Sequence, residues 1–139
     1  MKKLKKNKPT GKLVLKTLAM PKNTNASGDI FGGWIMSQID LGGAILAKEI
    51  SKGNVTTLMV KNIIFLKPIS VGDVVNCYAK LITVGNSSME IKVEIWIKKV
   101  IENPIGSIYC TSKANLIYVA IDDNKKSRPV YKNFCNIEN

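Results

Sequence analysis

Apolar and polar residues alternate along much of the second half of the chain, most regularly between Ser87 and Ile101. A period of two places successive side chains on opposite faces of a β-strand, so this pattern predicts a strand with one buried face. Four further stretches are rich in branched and aromatic residues, and several stop at proline, glycine or asparagine, as strands do at turns. The predicted strands are 12–19, 55–67, 73–84, 87–101 and 106–121.

A different pattern runs from residue 30 to 50, where the sequence reads IFGGWIMSQIDLGGAILAKEI. Its composition favours a helix that is apolar nearly all round and therefore buried on most sides. Asp29 or Ser27 could cap the start, and Ser51-Lys52-Gly53 supplies a stop. A core helix of about 18 residues would span roughly 27 Å. Its two glycine pairs, 32–33 and 42–43, indicate that something approaches the backbone closely.

The order of elements predicts an α+β fold. Four consecutive strands joined by tight turns imply an antiparallel β-sheet, and the single helix must cover one of its faces. One domain over residues 12–122 is expected, because 139 residues are enough to bury a core without disulfides or metal. Residues 1–11 are predicted to form a basic flexible tail, and residues 123–139 a polar C-terminal tail.

The absence of histidine restricts the possible chemistry more than any other feature of the composition. It excludes Ser-His-Asp and Cys-His catalysis and every His-ligated metal site. Acid–base work must come from the ten carboxylates, or from Lys, Tyr or Cys. Cys77, Cys110 and Cys135 are far apart and form no CxxC pair, so zinc ribbons and thioredoxin-like motifs are excluded. They are interpreted as free thiols in a reducing cytoplasm.

The net charge of +11 is concentrated at the ends, with six lysines and no acid in residues 1–12. A basic run of this kind can bind nucleic acid or an anionic membrane. No aromatic stacking residues accompany it, so a solvated tail is favoured and nucleic acid is not an expected partner. There is neither a signal peptide nor an apolar run of about 18 residues, so we expect a cytoplasmic protein that does not interact with membranes.

The run MPKNTNASGDIFGGWIMSQIDLGGAILAKEI at 20–50 resembles the signature of YciA-type acyl-CoA thioesterases, a hotdog-fold family. Segments 65–75, 85–88, 94–100 and 103–106 resemble it as well, so the likeness extends from about Leu13 to Ile121. It implies a hotdog fold, with an antiparallel sheet wrapped around one long central helix. It also implies hydrolysis of acyl-CoA to a free acid and CoA without a metal or an organic cofactor. The implied catalytic unit is a homodimer, often assembled into a homohexamer as a trimer of dimers.

Three residues are candidates for catalysis. Asp40 places a carboxylate in the most apolar helix, which is expensive unless the group is functional or lies on a wet edge. The resemblance implies that Asp40 is the catalytic acidic residue, which would act as a general base on water or attack the thioester itself. Gly33, with Gly32 beside it, would let a thioester carbonyl reach the free N–H groups of the helix N-terminus, or would simply allow tight packing. Asn25 is by its context a turn former, and the resemblance implies that it orients water or the carbonyl.

Five polar residues are candidates for binding the pantetheine and nucleotide parts of CoA. Lysines attract its phosphates and serines can hydrogen-bond to it, although a solvated strand face is an equally good interpretation of any one lysine. The candidates are Ser87, Ser88, Lys67, Lys98 and Lys99.

Two readings compete with the thioesterase, and both stay within the hotdog fold. A non-catalytic module that senses acyl-CoA would not need a carboxylate facing the thioester. Hotdog dehydratases use a catalytic histidine, which this chain lacks.

Gly33 and Asp40 are seven positions apart, about 10 Å along a helix. They are therefore expected to act on the same carbonyl only if they come from different subunits related by a two-fold axis. Asn25 and Gly33 would come from one subunit and Asp40 from the other. The preferred length of the acyl chain is left open.

Overall fold

The computed structural model describes residues 8–98 and 107–130. Its elements, in chain order, agree with the predicted ones to within a few residues. They are β1 (Lys12–Leu18), a short 3-10 turn (Pro21–Asn23), α1 (Gly32–Ser51), β2 (Val55–Phe65), β3 (Val74–Val84), β4 (Ser88–Lys98) and β5 (Ile108–Ala120). The predicted ends of the last two strands, at 99–101 and 106, lie outside the described residues.

The five strands form one antiparallel sheet in the order β1-β3-β4-β5-β2. The expected tight turn between β2 and β3 is wrong, because β2 pairs with β5 at the far edge of the sheet. The connection 66–73 instead runs past the loop that precedes α1, where the Ile30 N–H donates to the Ile69 oxygen at 2.8 Å. Pro68 has no N–H with which to extend a ladder, so the chain leaves the sheet there. Asp73 is a turn residue, as predicted, and its carboxylate accepts from the Ser70 N–H at 2.9 Å.

The helix α1 covers one face of the sheet, and the core lies between them. Inward positions of β4 and β5 alternate with outward ones, as the sequence predicts. The fully buried side chains include Ile39, Met89, Ile91, Ile95, Leu116 and Tyr118. The prediction that glycines in the helix mark a close approach is confirmed at Gly42, where a Cβ would overlap Cys77 Sγ, and at Gly43, where it would overlap the Tyr118 hydroxyl.

The ends of α1 differ in how well the sequence predicts them. Phe31 is the N-cap and no side chain caps it, so the prediction that Asp29 or Ser27 does so is wrong. Asp29 instead bridges to Ser70, and this pairing joins the preceding loop to the connection between β2 and β3. The C-terminal stop is confirmed, with Lys52 in the left-handed conformation at φ 58°.

The outer face of the sheet carries a buried carboxylate. The Thr10 hydroxyl and, at 2.8 Å, the Trp96 indole N–H donate to Glu94, and the Lys92 ammonium lies 3.4 Å away. Burial opposes ionisation of Glu94, but these three groups outweigh it and hold its pKa below the usual value. Thr10, which the sequence assigns to the basic tail, therefore contacts the sheet.

Candidate active site

A cavity of about 540 Å³ opens between α1 and β2. Two of the three predicted catalytic residues line it, one at the N-terminus of α1 and one near its middle. Most of the remaining lining is apolar. The lining residues are Gly33, Met36, Ser37, Ile39, Asp40, Thr57, Val60, Asn62, Ile63 and Leu116.

Asp40 is partly buried, and donors from two strands hold its carboxylate. Oδ1 accepts from the Thr57 hydroxyl on β2 at 2.6 Å and lies 3.2 Å from the Tyr118 hydroxyl on β5. The same Tyr118 hydroxyl is 2.8 Å from the Asp40 main-chain oxygen. The carboxylate thus lines the cavity and is held by the Thr57 and Tyr118 hydroxyls.

Sequence reasoning missed both of these partners. Tyr118 is a fully buried aromatic residue of β5, with the buried residues Leu116 and Ala120 two positions away on either side. A hydroxyl at such a position needs a buried partner. A tyrosine at an inward strand position therefore predicts a buried hydrogen bond, but the sequence does not show which element supplies the partner.

Gly32 and Gly33 form the first turn of α1, where a helix leaves N–H groups without internal partners. No side chain caps this end, and within residues 8–98 and 107–130 neither glycine N–H has a hydrogen bond. A Cβ on Gly33 would lie 2.8 Å from the Phe31 ring, so a larger residue does not fit without displacing that ring. The arrangement presents free donors and the positive end of the helix dipole, which together suit an anionic oxygen.

Asn25 forms the loop before α1, as the sequence indicates. Its Oδ1 accepts from the N–H groups of Ser27 at 2.9 Å and Asp29 at 3.2 Å. The residue is exposed and does not line the cavity of its own chain. Its side-chain NH₂ makes no hydrogen bond to any of the residues described, so this donor is available to a ligand.

The predicted CoA-binding residues lie at opposite ends of the sheet. Lys67 shares a smaller cavity of about 260 Å³ with Gly32, near the start of α1, and its ammonium lies 5.0 Å from the Tyr109 ring centroid. Lys98 ends β4 and pairs with Ile108 at the beginning of β5.

The two predicted serines are at the other end of β5. Ser88 pairs with Val119, and the Ser87 oxygen accepts from the Ala120 N–H at 2.9 Å. One chain therefore does not bring the serines and lysines together. Lys99 lies outside the described residues.

In the part of the chain that the structure describes, no three thiol or carboxylate side chains are close enough to hold a metal ion. None of the described helices has the length and hydropathy required to cross a membrane.

The sequence model of the thioesterase superfamily matches residues 27–102. The acyl-CoA thioester hydrolase YciA of Escherichia coli K12 is 56% identical over 122 residues, which are 88% of this chain and 92% of that protein. The hexameric broad specificity acyl-coenzyme A thioesterase HI0827 is 58% identical and superposes with a TM-score of 0.83, over 90% of this chain and 84% of that one.

A Staphylococcus aureus acyl-CoA hydrolase solved with butyryl-CoA, CoA and CoA disulfide is similar at 34% identity, over 84% of this chain and 69% of that one, with a TM-score of 0.76. The same enzyme has been solved with an asparagine, and separately with an aspartate, replaced by alanine.

Proposed function

This chain belongs to the thioesterase superfamily and is an acyl-CoA thioester hydrolase with the hotdog fold, and we propose that each of its active sites is built from two copies of it. In this proposal Asn25 and Gly33 come from one subunit and Asp40 from the other. A two-fold axis then generates two such sites in each dimer.

The observation that carries the proposal is the separation of Gly33 and Asp40. Seven positions along α1 place them about 10 Å apart, whereas a carbonyl oxygen bound to an N–H is only about 3 Å from the donor nitrogen. An antiparallel copy of α1 would place the partner subunit's Asp40 beside Gly33. Gly33 and Asp40 of one chain both line the open cavity, so both can be reached from it.

The surface around the cavity supports a second copy as the occupant. The edge strand β2 is exposed over almost its whole length although it is largely apolar. Phe31, Met36 and Leu41 of the helix side are exposed next to it. A contiguous apolar surface that includes a free strand edge is typical of an interface between chains.

The chemistry follows from the positions of the three groups. The Asp40 carboxylate removes a proton from an attacking water, or attacks the thioester carbonyl itself. The carbonyl oxygen gains negative charge in either case, and the Gly33 N–H, the helix dipole and the free Asn25 NH₂ stabilise it. The C–S bond then breaks, and CoA leaves as the thiolate and takes up a proton. When water is the nucleophile the free acid is released directly; when Asp40 is the nucleophile, water hydrolyses the resulting anhydride, which releases the acid and restores the carboxylate.

The S. aureus mutants support the assignment of Asn25 and Asp40. In that hydrolase the asparagine and the aspartate that were replaced are separated by the same number of positions as Asn25 and Asp40. In this chain those positions span the loop before α1 and the first turns of α1.

The substrate is divided between two regions. The apolar cavity between α1 and β2 accommodates the acyl chain, and its volume of about 540 Å³ is within the range of ordinary ligand sites. A two-fold arrangement brings Ser87 and Ser88 of one subunit towards the end of the partner that carries Lys67 and Lys98. The lysines there attract the CoA phosphates.

The dimers assemble further into a homohexamer in this proposal, because HI0827 is hexameric and similar over most of this chain. The cytoplasm is the proposed location, since Cys77 and Cys110 are free thiols and suit a reducing compartment.

Complementation between two inactive variants tests the shared site. Asn25→Ala and Asp40→Ala homodimers should both be nearly inactive in a thiol-release assay with acyl-CoAs from acetyl to palmitoyl. In a mixed dimer one site collects both substitutions and the other is wild type. Co-refolding should therefore restore up to half of the wild-type rate per heterodimer.

The control mixes Asp40→Ala with the double variant Asn25→Ala/Asp40→Ala, which leaves no intact site and should restore nothing. If Asn25→Ala and Asp40→Ala form heterodimers that remain inactive, each subunit must catalyse alone and the shared site is wrong.

A further inference from the structure

Tyr118 lies where β5 passes beneath α1, and its side chain is completely buried. The hydroxyl is 2.8 Å from the main-chain oxygen of Asp40 and 3.2 Å from Oδ1 of the same residue. It carries a single hydrogen, so it donates to one of these oxygens at a time. The first contact ties the Asp40 main chain to the sheet, and the second ties its carboxylate.

Gly43 makes this contact possible. A Cβ at residue 43 would overlap the Tyr118 hydroxyl and lie 2.8 Å from Cζ. Glycine costs about 1 kcal/mol in a helix interior relative to alanine. The helix therefore loses intrinsic stability at the residue whose missing side chain lets the phenol reach Asp40.

We propose that Tyr118 is a positioning residue for hydrolysis, whose hydroxyl holds the Asp40 carboxylate towards the cavity between α1 and β2. Tyr118 does not line that cavity, so it acts through Asp40 and not on the substrate. This inference rests on the proposed function, because it requires Asp40 to be the group that activates water or attacks the thioester.

The phenol is suited to act as a permanent donor. Burial, reinforced by the charge of Asp40, raises the pKa of Tyr118 well above its usual value, so the hydroxyl stays protonated. The other titratable group that acts on it is the Cys77 thiol of β3, and burial raises the pKa of that thiol to about 12.

The two donors to Asp40 are not equivalent. Thr57 is on β2, which pairs with one strand of its own chain, whereas Tyr118 is fully buried in β5, which is paired on both sides with β4 and β2. A carboxylate that keeps only the Thr57 donor loses the more rigidly held of its two contacts. We therefore expect the loss of the Tyr118 hydroxyl to lower the rate more than it lowers substrate affinity.

Tyr118→Phe tests this, since it removes one oxygen and keeps the ring. The expected result is a fall in kcat of about tenfold or more, with KM within about threefold of wild type. The acid limb of kcat/KM against pH should also move to higher pH, because a carboxylate that loses a hydrogen-bond donor takes up a proton more readily.

Tyr78→Phe is the matched control. It makes the same change on the outer face of β3, next to the inward-facing Cys77, and should leave kcat and the pH profile unchanged. If Tyr118→Phe does not fold, as judged by circular dichroism, Gly43→Ala replaces it. That variant keeps the phenol but pushes the hydroxyl off the helix, and the same changes in kcat and pH profile are expected.

Two further variants separate this inference from the proposed function. Asp40→Asn should be inactive, and adding Tyr118→Phe to it should lower the residual rate no further, because Tyr118 acts through the carboxylate. If Asp40→Asn retains more than half of the activity, the proposed function is wrong. If Asp40→Asn is inactive while Tyr118→Phe keeps kcat within about twofold and its acid limb unmoved, only the role of Tyr118 is overturned. Equal losses in kcat and affinity with an unmoved acid limb would also overturn it, since they indicate general damage.

Discussion

Gly42 and Gly43 set the distance between α1 and the sheet at the level of single atoms. A Cβ on residue 42 would overlap Cys77 Sγ and would lie 3.3 Å from Val14 Cγ2. Asp40 is two residues away, so the depth at which its carboxylate sits depends on this close packing. Replacing glycine by alanine in a helix interior normally adds stability of about 1 kcal/mol, and here overlap with the sheet opposes that gain.

Gly42→Ala should therefore destabilise the protein by about 1–3 kcal/mol, the usual range for overpacking a core. The double variant Gly42→Ala/Cys77→Ala removes the overlapping sulfur and should recover most of the loss. Urea unfolding of the two variants and of Cys77→Ala gives the coupling energy between the two sites. An additive result would mean that Cys77 is not what excludes a side chain at residue 42.

At the scale of single residues, the sequence predicts those residues that are unusual for their immediate sequence context. A carboxylate in an apolar helix and glycines inside it are visible without a structure, and Asp40, Gly33 and the close approach at 42–43 were all predicted. Thr57 and Tyr118 are not visible in this way, because their importance comes from elements that are distant in sequence and meet only in the fold.

Thr10, in the described part of the segment before β1, makes a polar contact with the outer face of the sheet. The Thr10 hydroxyl donates to the buried Glu94 of β4. Burial disfavours the carboxylate, and the donors Thr10, Trp96 and Lys92 more than compensate, so the pKa of Glu94 is lower in the folded chain. A lowered folded pKa stabilises the protein above the ordinary carboxyl pKa, and that stability is lost as the pH falls through the folded value.

Thr10→Val should therefore cost about 1.5 kcal/mol of unfolding free energy at pH 7, the lower end of the range for a hydrogen bond to a charged group. The difference from wild type should shrink as the pH falls and Glu94 takes up its proton. Thr10→Ser keeps the hydroxyl and serves as the control. Urea unfolding at pH 7 and at about pH 3, below the usual carboxyl pKa, measures both variants, and a difference that does not depend on pH would show that the loss has another cause.

The elements themselves could be predicted because helices and strands follow from periodicity over ten or more neighbouring residues. Their order in the sheet could not. β2 pairs with β5 and not with its neighbour β3, and nothing in the local pattern of 66–73 distinguishes a tight turn from a crossing connection. The N-terminus of α1 was also misjudged, because Asp29 is taken up by the bridge to Ser70 and leaves Phe31 at the cap.

At the scale of the whole molecule, a single chain exposes an apolar surface around the residues that we propose to be catalytic. Leu58 on β2 is 64% exposed and Leu41, next to Asp40 on α1, is 50% exposed. Burying a leucine fully is worth about 1.5–3 kcal/mol, and a two-fold axis counts each residue twice. The proposed shared site would therefore couple assembly to catalysis, because the surface that favours a dimer also carries the residues that each subunit would contribute to its partner's site.

Leu41→Lys and Leu58→Lys should each dissociate the dimer, since each places two lysines at a two-fold interface and removes two apolar contacts. Turnover should fall together with the dimer fraction, although Gly33 and Asp40 are untouched in every chain. Sedimentation equilibrium and the thiol-release assay at the same protein concentrations measure the two quantities. Ile82→Lys, on the exposed part of β3, is the control and should change neither. A folded Leu41→Lys or Leu58→Lys monomer that hydrolyses acyl-CoA at the wild-type rate would mean that one chain holds a complete site. Its own Asp40 would then have to act on a carbonyl bound at Gly33, about 10 Å away along the helix.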